Sequence, residues 1–134
     1  MSRTVFDTSA LLAFLWQEPG HEIVEQALGE DNGAISAANV AELFAKLIDR
    51  GFPADEIDAL FANLGLEIIA LDATQAKASA MLRTATRAHG LSLGDRACLA
   101  LARTLNAVAL TADRAWLDID VGVTVSCIRP ERKK

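Results

Sequence analysis

The chain has 134 residues, of which 51% are hydrophobic and 23% charged, with a formal net charge of −5. That length suits one domain with one sizeable core, and the composition excludes a disordered, collagen-like or low-complexity chain. The longest apolar run, residues 10–16, is far short of the ~20 that span a bilayer.

Residues 3–6 read as a short strand ending at Asp7-Thr8-Ser9. Residues 10–16 read as a helix closed by Pro19-Gly20, and 21–29 as a second helix. Asn32-Gly33 turns the chain into a strand over 34–36. Val40, Leu43, Phe44 and Leu47 recur at helical spacing in a helix over 38–50, stopped by Gly51. Pro53 suits the first position of a helix reaching Asn63, with Ile57, Leu60, Phe61 and Leu64 on one face. A strand is expected over 66–71, then a long helix capped by Thr74, running to about His89 and ended by Gly90. Residues 94–106 read as a helix, 107–111 as a strand, 113–117 as a helical turn and 121–128 as the last strand.

Short apolar strands alternating with helices predict an α/β protein with a parallel sheet covered on both faces. Ligands of such sheets bind at the carboxyl ends of the strands. Nothing divides the chain, so a single domain over 1–131 is expected, followed by a frayed basic tail, Arg132-Lys133-Lys134. The N-terminus carries no secretory pattern, and Cys98 and Cys127 form no C-x-x-C pair, so a cytoplasmic protein with two buried thiols and no membrane contact is expected.

Charge is polarised along the chain. Residues 1–73 hold 3 basic and 13 acidic side chains, and residues 74–134 hold 10 basic and 5 acidic. Four acids stand near predicted strand ends: Asp7 after the first, Asp113 past the fourth, Glu42 in the helix after the second, and Asp95 opening the helix after Leu91-Ser92-Leu93-Gly94. Each has an ordinary use. Asp7 and Asp113 suit helix caps, Asp95 suits a helix dipole, and Glu42 suits an i,i+4 pair with Lys46. Asp95, however, shares a helical face with Cys98, Leu99 and Ala102, and a carboxylate turned inward is costly unless a cation meets it. Two such charges ~4 Å apart repel by roughly 4 kcal/mol at an effective dielectric of 20. A divalent ion reverses that penalty, and an all-oxygen donor set selects Mg²⁺ or Mn²⁺.

Four segments carry a resemblance: Val5-Phe6-Asp7-Thr8-Ser9-Ala10-Leu11-Leu12; Ser36 followed by Glu42-Leu43; Leu91-Ser92-Leu93-Gly94-Asp95-Arg96-Ala97-Cys98-Leu99-Ala100-Leu101-Ala102; and Leu110-Thr111-Ala112-Asp113-Arg114-Ala115-Trp116. In this order and spacing they resemble the PIN-domain ribonucleases, and more closely the VapC toxins of type II toxin–antitoxin modules. The resemblance runs from Val5 to about Arg129. It implies a three-layer α/β/α sandwich, an acidic quartet of Asp7, Glu42, Asp95 and Asp113 that is catalytic and binds metal, and supporting hydroxyls at Ser9 and Thr111. Asn39 departs from the pattern, since many relatives carry a hydroxyl residue there.

The chemistry implied is Mg²⁺- or Mn²⁺-dependent endoribonuclease hydrolysis leaving 5′-phosphate and 3′-hydroxyl ends. Arg96 and Arg114, which follow two of the acids, and Arg83 and Arg87 on flanking segments are candidate RNA contacts. The resemblance also implies a cognate antitoxin as inhibitor and a homodimer, for which the helices bearing Phe44, Leu47, Ile57 and Phe61 offer apolar surface. The rival functions are a PIN nuclease of RNA processing and a catalytically silent PIN-fold binding module. A phospho-receiver is disfavoured because Asp7 lacks an acidic neighbour, and a D-x-D phosphotransferase because Ser9 occupies the second Asp position.

Overall fold

The structure, a computed structural model, describes residues 3–129, so the basic tail expected at 132–134 lies outside the described residues. Five strands, β1 (Thr4–Phe6), β2 (Gly33–Ser36), β3 (Glu67–Ile69), β4 (Val108–Thr111) and β5 (Thr124–Cys127), form a sheet in the order β3-β2-β1-β4-β5. All four pairings are parallel. The helices are α1 (Thr8–Leu15), α2 (His21–Gly29), α3 (Ala37–Asp49), α4 (Ala54–Leu64), α5 (Ala73–Met81), α6 (Arg83–Thr86) and α7 (Leu93–Leu105), with 3₁₀ turns at Arg87–His89 and Arg114–Asp118.

Side chains alternate across each strand and so feed two cores. Val5, Ala34 and Ala109 pack with Cys98, Leu99, Leu101 and Trp116. Phe6, Ile35 and Leu110 pack with Leu11, Val24, Leu43, Leu47 and Ile57. The result is the expected three-layer sandwich, with α5 and α7 over one face and α1 to α4 over the other. Each fully buried Leu, Ile or Phe contributes about 1.5–3 kcal/mol of transfer free energy. Leu47 and Ile57 are 0% and 1% exposed, so they belong to this core and not to the partner surface expected of them. Phe44 and Phe61, partly buried, stack on each other with ring centroids 6.4 Å apart.

Element ends differ from expectation where a polar side chain competes for the backbone. Asp72, not Thr74, caps α5: its Oδ1 accepts from the Gln75 amide at 2.8 Å. The long helix expected through His89 breaks at Leu82. Ser79 and Thr86 each donate to the carbonyl four residues back, at 2.8 Å, a competition that bends helices. Pro53 stands at the N-cap of α4, one place before its expected position. Among the described residues no helix is long and apolar enough to cross a membrane.

From β1 the chain moves outward through β2 and β3, then returns to the other side of β1 for β4 and β5. The carboxyl ends of β1 and β4 therefore flank the point where the winding reverses, and a crevice opens there in sheets of this kind. Asp7 and Asp113 follow those two strands.

Candidate active site

Asp7 holds the backbone position that caps α1, yet its side chain makes no capping bond. Its Oδ2 accepts from Ser9 Oγ at 2.6 Å and from Thr111 Oγ1 at 2.9 Å. Those hydroxyls are themselves oriented. The Ala112 amide donates to Ser9 Oγ at 3.0 Å and the Asp113 amide to Thr111 Oγ1 at 3.1 Å, which leaves the hydroxyl protons to point at Asp7. Asp7 is 2% exposed, and its other oxygen, Oδ1, is buried with no hydrogen-bond partner. Burial pushes the Asp7 carboxyl up to about 7. The charges of Asp95 and Glu42 add to the rise, and the two hydroxyls oppose it.

Glu42 does not pair with Lys46. Its Oε1 accepts from Thr8 Oγ1 at 2.8 Å and from Asn39 Nδ2 at 3.1 Å. Asn39 is fully buried and also reaches Gly94 O on α7 at 3.1 Å, so the residue that departs from the family pattern is what ties Glu42 in place. Thr8 escaped the sequence reading. Its signal was its place one residue after Asp7, on the first turn of α1, where a hydroxyl faces the same strand end.

Asp95 and Asp113 keep their local duties. Asp95 forms a capping box with Ser92, its Oδ2 accepting from the Ser92 amide at 3.0 Å. Burial raises its carboxyl above the usual range, as do the charges of Glu42 and Asp113, while the Ser92 bonds work against it. Asp113 is exposed, and its Oδ1 caps the 3₁₀ turn by accepting from the Ala115 amide at 3.0 Å.

Asp7, Glu42 and Asp95 line one cavity of about 160 Å³ together with Thr8, Ser9, Leu12 and Lys46. Asp113 lines the adjoining one with Ser9, Glu18 and Arg129. Among the described residues no three His, Cys, Asp or Glu side chains close on one point as a ready-made metal cage. Mg²⁺ does not need one, because it keeps several waters and takes one or two carboxylates plus substrate phosphate. The donor set fits such an ion. It is all oxygen, it includes a buried carboxylate oxygen that nothing satisfies, and the ion pairs Arg3–Glu67, His21–Glu22 and Arg129–Glu18 involve none of Asp7, Glu42 and Asp95, although the last of them lines the adjoining cavity with Asp113. Cys98, fully buried and also within the field of Asp7, Asp95 and Glu42, has its thiol pushed well up by burial and is inert.

The four arginines expected to meet RNA divide. Arg83, Arg87 and Arg114 are exposed. Arg96, in contrast, is 8% exposed and donates from Nη1 to Ser79 O at 3.3 Å, so its guanidinium joins α7 to α5. Lys46, whose spacing suggested an ion pair with Glu42, stands exposed at the cavity edge one helical turn beyond it.

A parallel sheet whose switch point carries an acidic cavity defines the class: an α/β sandwich with carboxylates gathered at the carboxyl ends of its central strands. The PIN domain model matches residues 4–122, and the chain belongs to the PIN domain family, a family of nucleases. No curated protein sequence matches it significantly. Among solved structures it is similar to VapBC2 from Rickettsia felis bound to a promoter DNA fragment, with a TM-score of 0.69, 20% identity, and 92% of this chain and 97% of that one covered. It is similar to a toxin–antitoxin complex from Klebsiella pneumoniae, with a TM-score of 0.68, 22% identity, and coverage of 94% and 98%. DNA-bound VapBC from Salmonella typhimurium gives a TM-score of 0.72 at 16% identity, with coverage of 96% and 100%. At these identities the likeness is one of fold.

Proposed function

We propose that this chain is the ribonuclease toxin of a toxin–antitoxin pair, hydrolysing RNA phosphodiester bonds to 5′-phosphate and 3′-hydroxyl ends with Mg²⁺ or Mn²⁺. The observation that carries the reading is Asp7 Oδ1, a buried carboxylate oxygen without a donor, in one cavity with Glu42 and Asp95. Asp7, Glu42 and Asp95 would hold the ion, with Asp113 at the rim. Once bound, the ion supplies a water acidic enough to attack and positive charge for the phosphate oxygens.

The chain's own residues do the rest. Ser9 and Thr111 occupy Oδ2 of Asp7 and leave the buried Oδ1 without a protein donor. Thr8 and Asn39 hold Oε1 of Glu42. Lys46 offers a cation at the edge of the acidic cavity, where a phosphate would enter. Leu12 supplies an apolar part of the cavity wall.

The toxin role is supported by neighbours that are themselves toxin–antitoxin complexes. An apolar groove lined by Phe14, Leu15, Leu28, Leu60 and Leu64, between α1, α2 and α4, is a seat for an antitoxin segment. The reading includes a homodimer acting in the cytoplasm. Expression of the chain alone is expected to arrest growth, and the purified protein to cut RNA only with Mg²⁺ or Mn²⁺. Asp7→Asn is expected to abolish both while the fold persists. Full cleavage in excess chelator would overturn the reading.

A further inference from the structure

Gly94 occupies the first turn of α7, between Leu93 and Asp95. Its backbone is not among those with positive φ, so the conformation does not call for glycine. Glycine in a helix is a poorer choice than alanine, because it loses more chain entropy on folding. The reason for it lies across the site. A Cβ built on Gly94 would overlap the carboxyl carbon and both carboxylate oxygens of Glu42. The Glu42 carboxylate therefore rests on the bare Cα of Gly94, at the electropositive start of α7, where a negative charge is favoured.

We infer that Gly94 is the positioning residue for Glu42: the missing side chain is the seat that keeps this carboxylate inside the acidic cavity. Two further elements complete the seat. Thr8 from α1 and Asn39 from α3 donate to the same oxygen, Oε1, and Asn39 also donates to the carbonyl of Gly94 itself. Oε1 is thus the oxygen that the protein's own donors hold. A methyl group at position 94 removes the seat, because it would occupy the place of the carboxylate itself. The carboxylate must then swing off α7 and out of the cavity. This inference deepens the proposed function, since it rests on Glu42 serving the ion site.

The test is a set of variants of the full chain: Gly94→Ala, Glu42→Ala, Glu42→Ala/Gly94→Ala and Glu42→Asp/Gly94→Ala. Mn²⁺ binding by calorimetry, RNA cleavage and thermal melting without metal are measured on each. Gly94→Ala is expected to weaken Mn²⁺ binding about tenfold or more, the scale for displacing a group that supports a metal site, and to lower the melting temperature. With Glu42 already removed, the same Gly94→Ala change is expected to raise the melting temperature, because only the helix preference of alanine remains. Shortening the acid by one methylene, in Glu42→Asp/Gly94→Ala, is expected to recover part of the Mn²⁺ affinity lost in Gly94→Ala.

Should Gly94→Ala fail to fold, folding of Glu42→Ala/Gly94→Ala supports the inference, and its failure overturns it. Equal destabilisation by Gly94→Ala in both backgrounds, or unchanged Mn²⁺ affinity in Gly94→Ala, also overturns it. A wild-type protein that neither binds Mn²⁺ nor cuts RNA removes the nuclease reading instead. In that case the sign of the melting shift still decides whether Gly94 seats Glu42.

Discussion

Thr111 Oγ1 donates to Asp7 Oδ2 at 2.9 Å across 104 positions of sequence, stitching the carboxyl end of β4 to that of β1. The bond fixes which oxygen of Asp7 is satisfied. With Ser9 on the same atom, Oδ1 is left buried and unpartnered. Such an oxygen costs about 1–3 kcal/mol or more of desolvation that folding does not return. The site therefore carries a local instability that an ion or a proton relieves.

The proton leaves a signature in stability. The Asp7 carboxyl stands at about 7 in the native protein against 3.8 as its ordinary value. Between those limits the native state holds a proton that the unfolded chain has released, so metal-free stability falls as pH rises from 4 to 7 and levels off above. The separation corresponds to about 4 kcal/mol. Asp7→Asn removes the titration. Melts across pH 4–8 are expected to show a flatter profile and a more stable metal-free protein at pH 7.5, with RNA cleavage lost. Parallel profiles for the two proteins would show that Asp7 does not carry this dependence.

Metal and proton compete for the same oxygen. At one hundred times its dissociation constant a ligand specific for the native state adds about 2.7 kcal/mol. Mn²⁺ is expected to raise the melting temperature at pH 7.5, to raise it much less at pH 5, where Asp7 is protonated, and not at all in Asp7→Asn. A shift equal at both pH values places the ion elsewhere.

Ser9 and Thr111 hold the Asp7 carboxylate in its charged form. Removing either donor, by Ser9→Ala or Thr111→Val, moves the Asp7 titration upward, because a bond that lowered it is gone. The acid limb of kcat/KM is expected to shift to higher pH, with a loss of about 10–100-fold at pH 6 that shrinks by pH 8. A loss independent of pH would assign the hydroxyls a different task.

Asp113 caps a 3₁₀ turn as well as carrying a charge, and two substitutions separate those roles. Asp113→Ala removes the acceptor for the Ala115 amide and is expected to cost about 1 kcal/mol of stability. Asp113→Asn keeps an acceptor oxygen, so its melting temperature is expected to stay near wild type while cleavage falls as in Asp113→Ala. Full activity in Asp113→Asn would reduce Asp113 to the cap alone.

Arg96 and Lys46 are expected to behave in opposite ways. Arg96→Ala deletes a buried guanidinium bonded to Ser79 O and is expected to cost about 1–3 kcal/mol of stability with little change in RNA affinity. Lys46→Ala is expected to leave the melting temperature alone, weaken RNA binding in metal-free buffer, and reduce the slope of log affinity against log salt by about one. The comparison is a filter-binding titration at several salt concentrations. The reverse ranking of the two variants would place the phosphate path near Arg96.

Much of this was local and therefore readable from the residues. Short apolar runs set the strands, glycines at 51 and 90 mark helix ends, and an acid just past a strand is carried to the sheet's carboxyl edge whatever else the chain does. The α/β class and the neighbourhood of Asp7 and Asp113 needed only those facts. Helix caps were less secure, because Asp7 and Asp113 occupy equivalent places in sequence and only one uses its side chain as a cap.

Tertiary structure decided everything that depends on which atoms meet. The apolar run over residues 10–16 cannot show that Thr8 reaches Glu42, and no spacing shows that Asn39 bridges α3 to α7. Arg96 looked like a phosphate contact because it follows an acid, but it lies on the buried face of α7 and its side chain is turned toward α5. Gly94 reads in sequence as a weak helix residue, and only the packing of α3 against α7 shows the carboxylate lying where its side chain would be. Chain-local preferences act through neighbours a few residues apart, whereas the reach of a hydroxyl, an amide or a carboxylate across the sheet edge is set by how close-packed layers bring distant backbones together.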